Sequence, residues 1–391
     1  MWIDMSLNVA KLRIFVRFIA HFRRFFVSLQ SKSKKLMELQ SKIRIKDIAE
    51  RAGVSVGTVD RVIHGRTNVS KASYDKVQKV LDEINYVPNH YASALASNKT
   101  YYFAAILPMH EVDSYWARVE NGLIDGLRRY QDFKITFKIF RYDPFNDASF
   151  EAQAQLLVDS KPFAVIIGPI FSHGIMTKFI DRLTELNTPY ALIDSNWPEF
   201  HPVTFYGQDS VRSGEFAARI THMAAGNAKK IALFKIIGEG RVASRQQLDR
   251  EAGFRSYMKE HCPKTEIVVL NLYVYDKEGM KERLREFFTE YPDINYGLTF
   301  NSSIHIVADF LREEMPKHKR VTLMGYDAID SNVQCIKDGS VDFLIAQHPQ
   351  KQGLNCLRTI VNACILHMKQ KVEHYVSIEL LTKENIDFYK D

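Results

Sequence analysis

The stretch Ile45-Lys46-Asp47-Ile48-Ala49-Glu50-Arg51-Ala52-Gly53-Val54-Ser55-Val56-Gly57-Thr58-Val59-Asp60-Arg61-Val62-Ile63-His64-Gly65 decides the reading of this chain. Ile45, Ile48, Ala49 and Ala52 recur at helical spacing. Gly53 ends that helix, because glycine tolerates the left-handed conformation just past a helix terminus. Ser55 is a good N-cap for a second helix, Val56 to Ile63. Val59, Val62 and Ile63 face inward, which leaves Val56, Gly57 and Asp60 exposed with Arg61 alongside. Gly65 ends this helix, and Ser70 caps a third whose Val77, Val80, Leu81 and Ile84 form one apolar stripe.

Helix, tight glycine turn and short second helix are the plan of a helix-turn-helix module. Its second helix enters the major groove and presents its first side chains to base edges. Arg61 can donate two hydrogen bonds to guanine O6 and N7. Lys46, Ser55, Thr58, Lys71 and Ser73 are placed for phosphates. A small helical bundle without a DNA role has the same pattern, and the geometry alone leaves both readings open.

The run from Ile45 to Gly65, followed by Asn68-Val69-Ser70-Lys71-Ala72-Ser73-Tyr74 and on to Tyr86-Val87-Pro88-Asn89, resembles the lactose/galactose repressor (LacI/GalR-type) family. The resemblance covers the whole DNA-binding module, with stops, caps and apolar positions in register. It implies that Val56, Gly57 and Arg61 read bases, and that Thr58 and Asn68 to Ser70 face phosphates. Asp60 and His64 join the expected DNA contacts. Asp60 departs from the family's usual Ser or Ala: a carboxylate there repels phosphate or accepts from cytosine N4.

Pro88 is followed by Asn89 to Ala96, too short for a stable isolated helix. This segment resembles the family's hinge helix, which implies that Asn89 contacts DNA and that Leu95 wedges into the minor groove. Ser93 replaces the family's usual Arg. A plain linker is the alternative reading.

Beyond residue 100, strand-like runs alternate with amphipathic helices. Strands are expected at Tyr102–Leu107, Ile135–Phe140, Ala164–Ile167, Tyr190–Ile193, Ile231–Ile236, Ile267–Leu270, Gly297–Thr299, Val321–Met324 and Phe343–Ala346. Helices are expected between them, for example Trp116–Tyr130 and Phe150–Val158. Such alternation predicts parallel sheets covered on both faces, and about nine strands suit two lobes. Gly207-Gln208-Asp209, Arg250-Glu251-Ala252-Gly253-Phe254, Asn301-Ser302-Ser303 and Met324-Gly325-Tyr326-Asp327 resemble, more loosely, the periplasmic-binding-protein-like sensor of the same repressors. That resemblance implies a ligand between the lobes, at the carboxyl ends of strands. Expected ligand contacts are Tyr115, Trp116, Asp194, Arg250, Asn301, Ser302 and Asp327. Each has a structural alternative: Asp209 as a helix cap, Asp194 capping a turn, Arg250 in an internal ion pair, Trp116 in the core. Ser302 stands where many relatives have an Asp that grips a sugar, so an ordinary hexose or pentose is not assured.

The chain's 391 residues suggest two or three domains. The expected division is residues 1–42, a basic Phe/Arg-rich extension; 43–88, the DNA-binding domain; 89–100, the hinge; and 101–391, the two-lobed effector-binding and dimerisation domain. The fold class is an all-α helix-turn-helix domain joined to an α/β, periplasmic-binding-protein-like domain. Residues 1–42 carry nine Lys/Arg and two acids, and residues 43–100 nine and six, so the net +7 of the chain is concentrated in its first quarter. That placement favours an anionic partner. Residues 1–42 read as an amphipathic membrane-surface helix, a basic DNA arm, or a segment outside the working protein that begins near Met37. Cys262, Cys335, Cys356 and Cys364 form no C-x-x-C pair and read as small buried apolar residues in a reducing compartment. No run of apolar residues is long enough to span a membrane, and no nucleophile elbow, phosphate loop or metal-ligand spacing occurs.

These features together predict a cytoplasmic, non-enzymatic regulator without cofactor. It is expected to bind a two-fold operator as a homodimer and to respond to a small molecule, a carbohydrate or a derivative of one. The alternative is a membrane-tethered sugar receptor with a vestigial DNA module.

Overall fold

A computed structural model describes residues 44–63, 67–84, 86, 91, 94–95, 99–170, 173–226, 228–238, 244–274, 276–315 and 320–391. His64, Asn89 and the extension 1–42 lie outside the described residues. The chain divides into two compact units, Met1–Ser93 and Ala94–Asp391.

The first unit holds α1 (Ile45–Ala52), α2 (Val56–Ile63) and α3 (Lys71–Glu83). Ile48, Val59 and Val77 are fully buried at their common core, with Ala49, Ala52, Val62 and Val80 around them. The local signals act as expected. Gly53 sits at φ 64°, and the Val54 amide returns to the Ala49 carbonyl. Ser55 Oγ accepts from the Thr58 amide at 3.1 Å, and Ser70 Oγ from Ser73 at 3.3 Å.

The second unit is built around two six-stranded sheets. Its elements run β1 (Tyr101–Pro108), α4 (Tyr115–Arg128), β2 (Ile135–Tyr142), α5 (Asp147–Asp159), β3 (Ala164–Ile167), α6 (His173–Glu185), β4 (Tyr190–Ile193), β5 (Thr204–Gly207) and α7 (Ser210–Ala225). Then follow β6 (Lys230–Ile237), α8 (Arg245–His261), β7 (Glu266–Tyr273), α9 (Lys277–Glu290), β8 (Tyr296–Leu298), α10 (Ile304–Glu314), β9 (Thr322–Tyr326) and α11 (Asp330–Asp338). The chain ends with β10 (Phe343–Ala346), α12 (Pro349–Cys364), β11 (Glu373–Tyr375) and β12 (Glu379–Leu381).

The sheet orders are β11-β5-β4-β3-β1-β2 and β12-β10-β9-β8-β6-β7. The second repeats the first strand for strand. Along β1, Phe103, Ala105 and Leu107 face one helical layer while Ala104 and Ile106 face the other, so each sheet is buried on both sides. Three short strands escaped the sequence reading: β5, β11 and β12, of three or four residues each. The sheets are parallel, as expected, except at one edge, where β12 pairs antiparallel to β10. The cause is topological. Strand β11 runs parallel to β5 and leaves the first sheet at its carboxyl end. The chain enters the second sheet from the same side three residues later, and so runs against its neighbours.

The chain therefore crosses between lobes three times. Helix α7 follows a strand of the first sheet yet packs Ala217 and Ala218 on the second. Helix α12 follows a strand of the second yet packs Cys356, Leu357 and Ile360 on the first. Gln208 ties the crossings together: its Nε2 donates to Ala346 O and Ser377 O, each at 3.1 Å. Cys335 and Cys356 are buried as expected, whereas Cys262 and Cys364 are only partly so.

Candidate functional site

On α2, the first turn carries Val56, about half exposed, then Gly57 and, one turn on, Arg61, both exposed. Thr58 and Asp60 are partly covered. A Cβ added at Gly57 would meet nothing closer than Ser55 Oγ at 3.9 Å, so the backbone there is open to close approach. Ser55 and Thr58 share a 2.9 Å hydroxyl contact, so both serve the helix N-terminus before any outside partner. Lys46 and Lys71 are exposed, as are Asn68, in the left-handed region at φ 71°, and Ser70. In the second unit, Leu95 is 46% exposed although its neighbour Ala94 packs on the core.

Between the two lobes lies a cavity of about 770 Å³, and all seven expected ligand residues line it. The repeat in sheet order explains its floor. Asp194 directly follows β4, and Asp327 directly follows the equivalent β9, so each lobe delivers one carboxylate at a strand's carboxyl end. Both residues are held in the left-handed region, at φ 77° and 66°. Non-glycine residues adopt that conformation at a cost of order 1 kcal/mol, typically at ligand clamps.

Arg250, on α8, is fully buried between them. Its Nη1 donates to Phe300 O at 2.8 Å and its Nη2 to Gln347 Oε1 at 2.9 Å. The guanidinium lies 3.9 Å from the Tyr326 ring centroid, and Nε has no partner among the described residues. Arg250 thus makes no direct ion pair among the described residues. Its charge is balanced at longer range by Asp194 and Asp327. Burial pushes the Asp194 carboxyl up to about 6 and Asp327 up to about 7, with Arg250 opposing both shifts.

Two glutamines, missed in the sequence, complete the floor. Gln246 donates to Asp194, and to Gln347 Oε1 at 3.2 Å. Gln347 in turn donates to Asp327 at 2.8 Å. Gln246 precedes Arg250 by one helical turn and Gln347 follows β10, two placements that a search for strand ends and helix faces could have found. Tyr115 is only 6% exposed and its hydroxyl donates to Gln352 Oε1 at 3.1 Å, so it supports the floor more than it flanks a ring. Trp116 is half buried beside it, edge-on to Tyr115, and keeps part of its ring in the cavity. Asn301 is committed to its own loop, donating to Ile236 O at 3.0 Å and accepting from Ser303 N at 3.2 Å. Ser302 lines the wall without a charge. Asp209, as its alternative reading had it, is the N-cap of α7.

The lobes are clasped across the cleft. Asp113, beyond β1, accepts from the Asp330 and Ser331 amides at 2.6 and 2.9 Å, capping α11 of the other lobe. Arg118 pairs with Asp330 at 2.9 Å beside it. Chemically the site offers carboxylate acceptors, a fixed guanidinium donor and an indole face, in a pocket lined by both polar and apolar side chains. That set suits a polyhydroxylated ring. Among the described residues no cluster of His, Cys, Asp or Glu could hold a metal ion, and no helix is long and apolar enough to cross a membrane.

Comparison with known proteins follows this division. Residues 44–89 match the bacterial regulatory proteins of the lacI family, and residues 103–365 match the periplasmic binding protein domain. A Bacteroides fragilis chain assigned to the LacI transcriptional regulators superposes at TM-score 0.71 with 40% identity, over 75% of this chain and 100% of that one. The HTH-type transcriptional regulator DegA of Bacillus subtilis is 30% identical over 220 residues, 56% of this chain and 61% of its own length. The match therefore spans less than two thirds of that relative. GanP, a glucose-galactose binding protein from Geobacillus stearothermophilus, shares the fold at TM-score 0.63, over 74% of this chain and 99% of that one, with 16% identity. The chain belongs to the LacI family of bacterial regulatory proteins, its larger part a periplasmic-binding-protein domain.

Proposed function

We propose that the chain is a transcription regulator that binds a two-fold symmetric operator as a homodimer and changes its operator affinity when a carbohydrate enters the inter-lobe cavity. The observation that carries this reading is the floor itself: Asp194, Arg250 and Asp327, contributed by both lobes, on a chain that also carries an exposed recognition helix. A ligand contacting both lobes favours the closed arrangement, and it can shift DNA affinity only by its preference between arrangements. In this reading Arg61, Val56 and Gly57 meet base edges, and Lys46, Thr58, Asn68 and Ser70 meet phosphates. Leu95 supplies the minor-groove wedge. Sugar-binding neighbours of the same fold support the ligand class.

The test has two stages. Duplexes bound by the full chain are selected from a random library, and the enriched duplex is then titrated with and without a panel of monosaccharides and disaccharides. Enrichment of one palindromic site, with affinity changed by a panel member, is the expected result. Failure to enrich any sequence would remove the DNA reading. A normal operator complex indifferent to every sugar, with none bound, would remove the effector class.

A further inference from the structure

The cavity has room for more than the ring its floor can grip. A hexopyranose has about twelve non-hydrogen atoms, and at no more than a water's share of roughly 30 Å³ each it occupies less than about 360 Å³. The cavity measures about 770 Å³. The remainder is walled by a second group of side chains, none of which belongs to the carboxylate-and-arginine floor.

That group centres on Trp197, three residues past Asp194 in the β4–β5 loop and only 3% exposed. Its ring stacks on Phe200 at 5.6 Å and leans on His173 at 5.4 Å, so its own lobe fixes it. From the other lobe, Arg245 lays its guanidinium 5.0 Å from the Trp197 ring centroid. Arg245 is itself held by Asp249 at 3.0 Å and Glu199 at 4.0 Å. The two subsites are adjoining rungs of one ladder: Asp194 meets Gln246, and Trp197 meets Arg245, the next residue along α8. The indole Nε1–H of Trp197 is buried and has no hydrogen-bond partner among the described residues. Buried donors are almost always satisfied. Trp197 lines the cavity, so an occupant of the cavity is the candidate acceptor for this donor.

We propose that the cavity takes a carbohydrate of at least two rings, one on the Asp194–Arg250–Asp327 floor and the next against Trp197 and Arg245, with an oxygen of the second ring accepting from Trp197 Nε1–H. The proposal rests on the carbohydrate reading above and narrows it to disaccharides and glycosides. Sugar hydroxyls also accept from the Arg245 guanidinium, whose charge its two carboxylate partners more than offset, so an anionic group is disfavoured there and an uncharged second ring fits it.

The experiment is calorimetric titration of the full chain with glucose, galactose and arabinose, and with maltose, cellobiose, lactose, melibiose and a phenyl glucoside. It is repeated on Trp197→Phe, which keeps an aromatic ring beside Phe200 and removes the N–H with the rest of the fused ring; the monosaccharides serve as the control for that loss of packing. The expected result is a two-ring ligand bound at least tenfold more tightly than its component monosaccharides. Trp197→Phe should weaken that ligand by about tenfold, the factor that ~1.4 kcal/mol represents, and leave the monosaccharides unchanged. A monosaccharide that binds as tightly as every two-ring compound overturns the inference while the carbohydrate reading stands. So does an equal loss for both classes in Trp197→Phe. Binding of no carbohydrate at all removes the carbohydrate reading and this inference with it.

Discussion

Gly214 on α7 is where a single methyl group should disturb the ligand site from outside it. A Cβ at this position would lie 2.7 Å from the carbonyl carbon of Arg250 and 2.9 Å from its Cα, and nearer still to the carbonyl oxygen. Ordinary contact begins at 3.4 Å, so α7 and α8 must part by more than the ~0.7 Å that the carbonyl carbon alone requires. The reciprocal Gly253 packs equally tightly against the Val211 carbonyl, so the helices cannot pivot away from one glycine without straining the other. Overpacking of this kind costs about 1–3 kcal/mol. Moving the Arg250 backbone also weakens its charged hydrogen bonds to Phe300 and Gln347, worth about 1.5–3 kcal/mol each when intact. Alanine's better helix propensity returns about 1 kcal/mol. Gly214→Ala should therefore destabilise by ~2 kcal/mol, a fall in melting temperature of roughly 4 °C in a unit of this size. Ligand affinity should drop with it, because the guanidinium leaves its place over Tyr326. The internal control is Gly174→Ala on α6, where an added Cβ meets nothing within 4 Å and stability should rise slightly. Thermal melts and ligand titration of both variants decide the matter. A Gly214→Ala chain that melts at or above the parent temperature and binds ligand normally would refute the close-packing argument.

Other expectations follow from the same geometry. Burial raises the Asp194 and Asp327 carboxyls to about 6 and about 7, so the folded state holds those protons more tightly than the unfolded one; the contribution of these two groups to stability is greatest in acid and falls as pH rises from about 4 through 7. Asp327→Asn should flatten the upper part of that fall in melts between pH 5 and 8, and an unchanged slope would show that Asp327 is not the group titrating. Asp113→Ala removes the cap that the first lobe places on α11 and should weaken ligand binding several-fold without changing the secondary structure; undiminished affinity would mean the clasp does not contribute to closure. Arg61→Ala should cost ~1–3 kcal/mol on the selected operator and much less on random duplex, whereas equal losses would make it a phosphate contact. Leu95→Ala should reduce operator affinity and DNA bending while leaving ligand titration without DNA intact, and undiminished bending would reduce residues 89–96 to a linker.

The DNA module was legible because its signals are local. The Gly53 turn, the Ser55 and Ser70 caps and the Ile48–Val59–Val77 core all act within about 30 residues of sequence. The long strands were legible for the same reason: a strand buried on both faces is a continuous apolar run. What the sequence could not determine was pairing. Strands β5, β11 and β12 are too short to carry a pattern, and β12 runs antiparallel only because the chain reaches its sheet through the cleft. Asp194, Arg250 and Asp327 could each be singled out alone as a ligand contact. That they share one floor, relayed through Gln246 and Gln347 and clasped by Asp113, required the three crossings that bring residues 113, 194, 246, 327 and 347 together. Local chemistry fixes caps, turns and buried faces, whereas a cleft between two lobes is made by contacts between residues more than 50 positions apart. One sequence read by itself carries no term for those contacts.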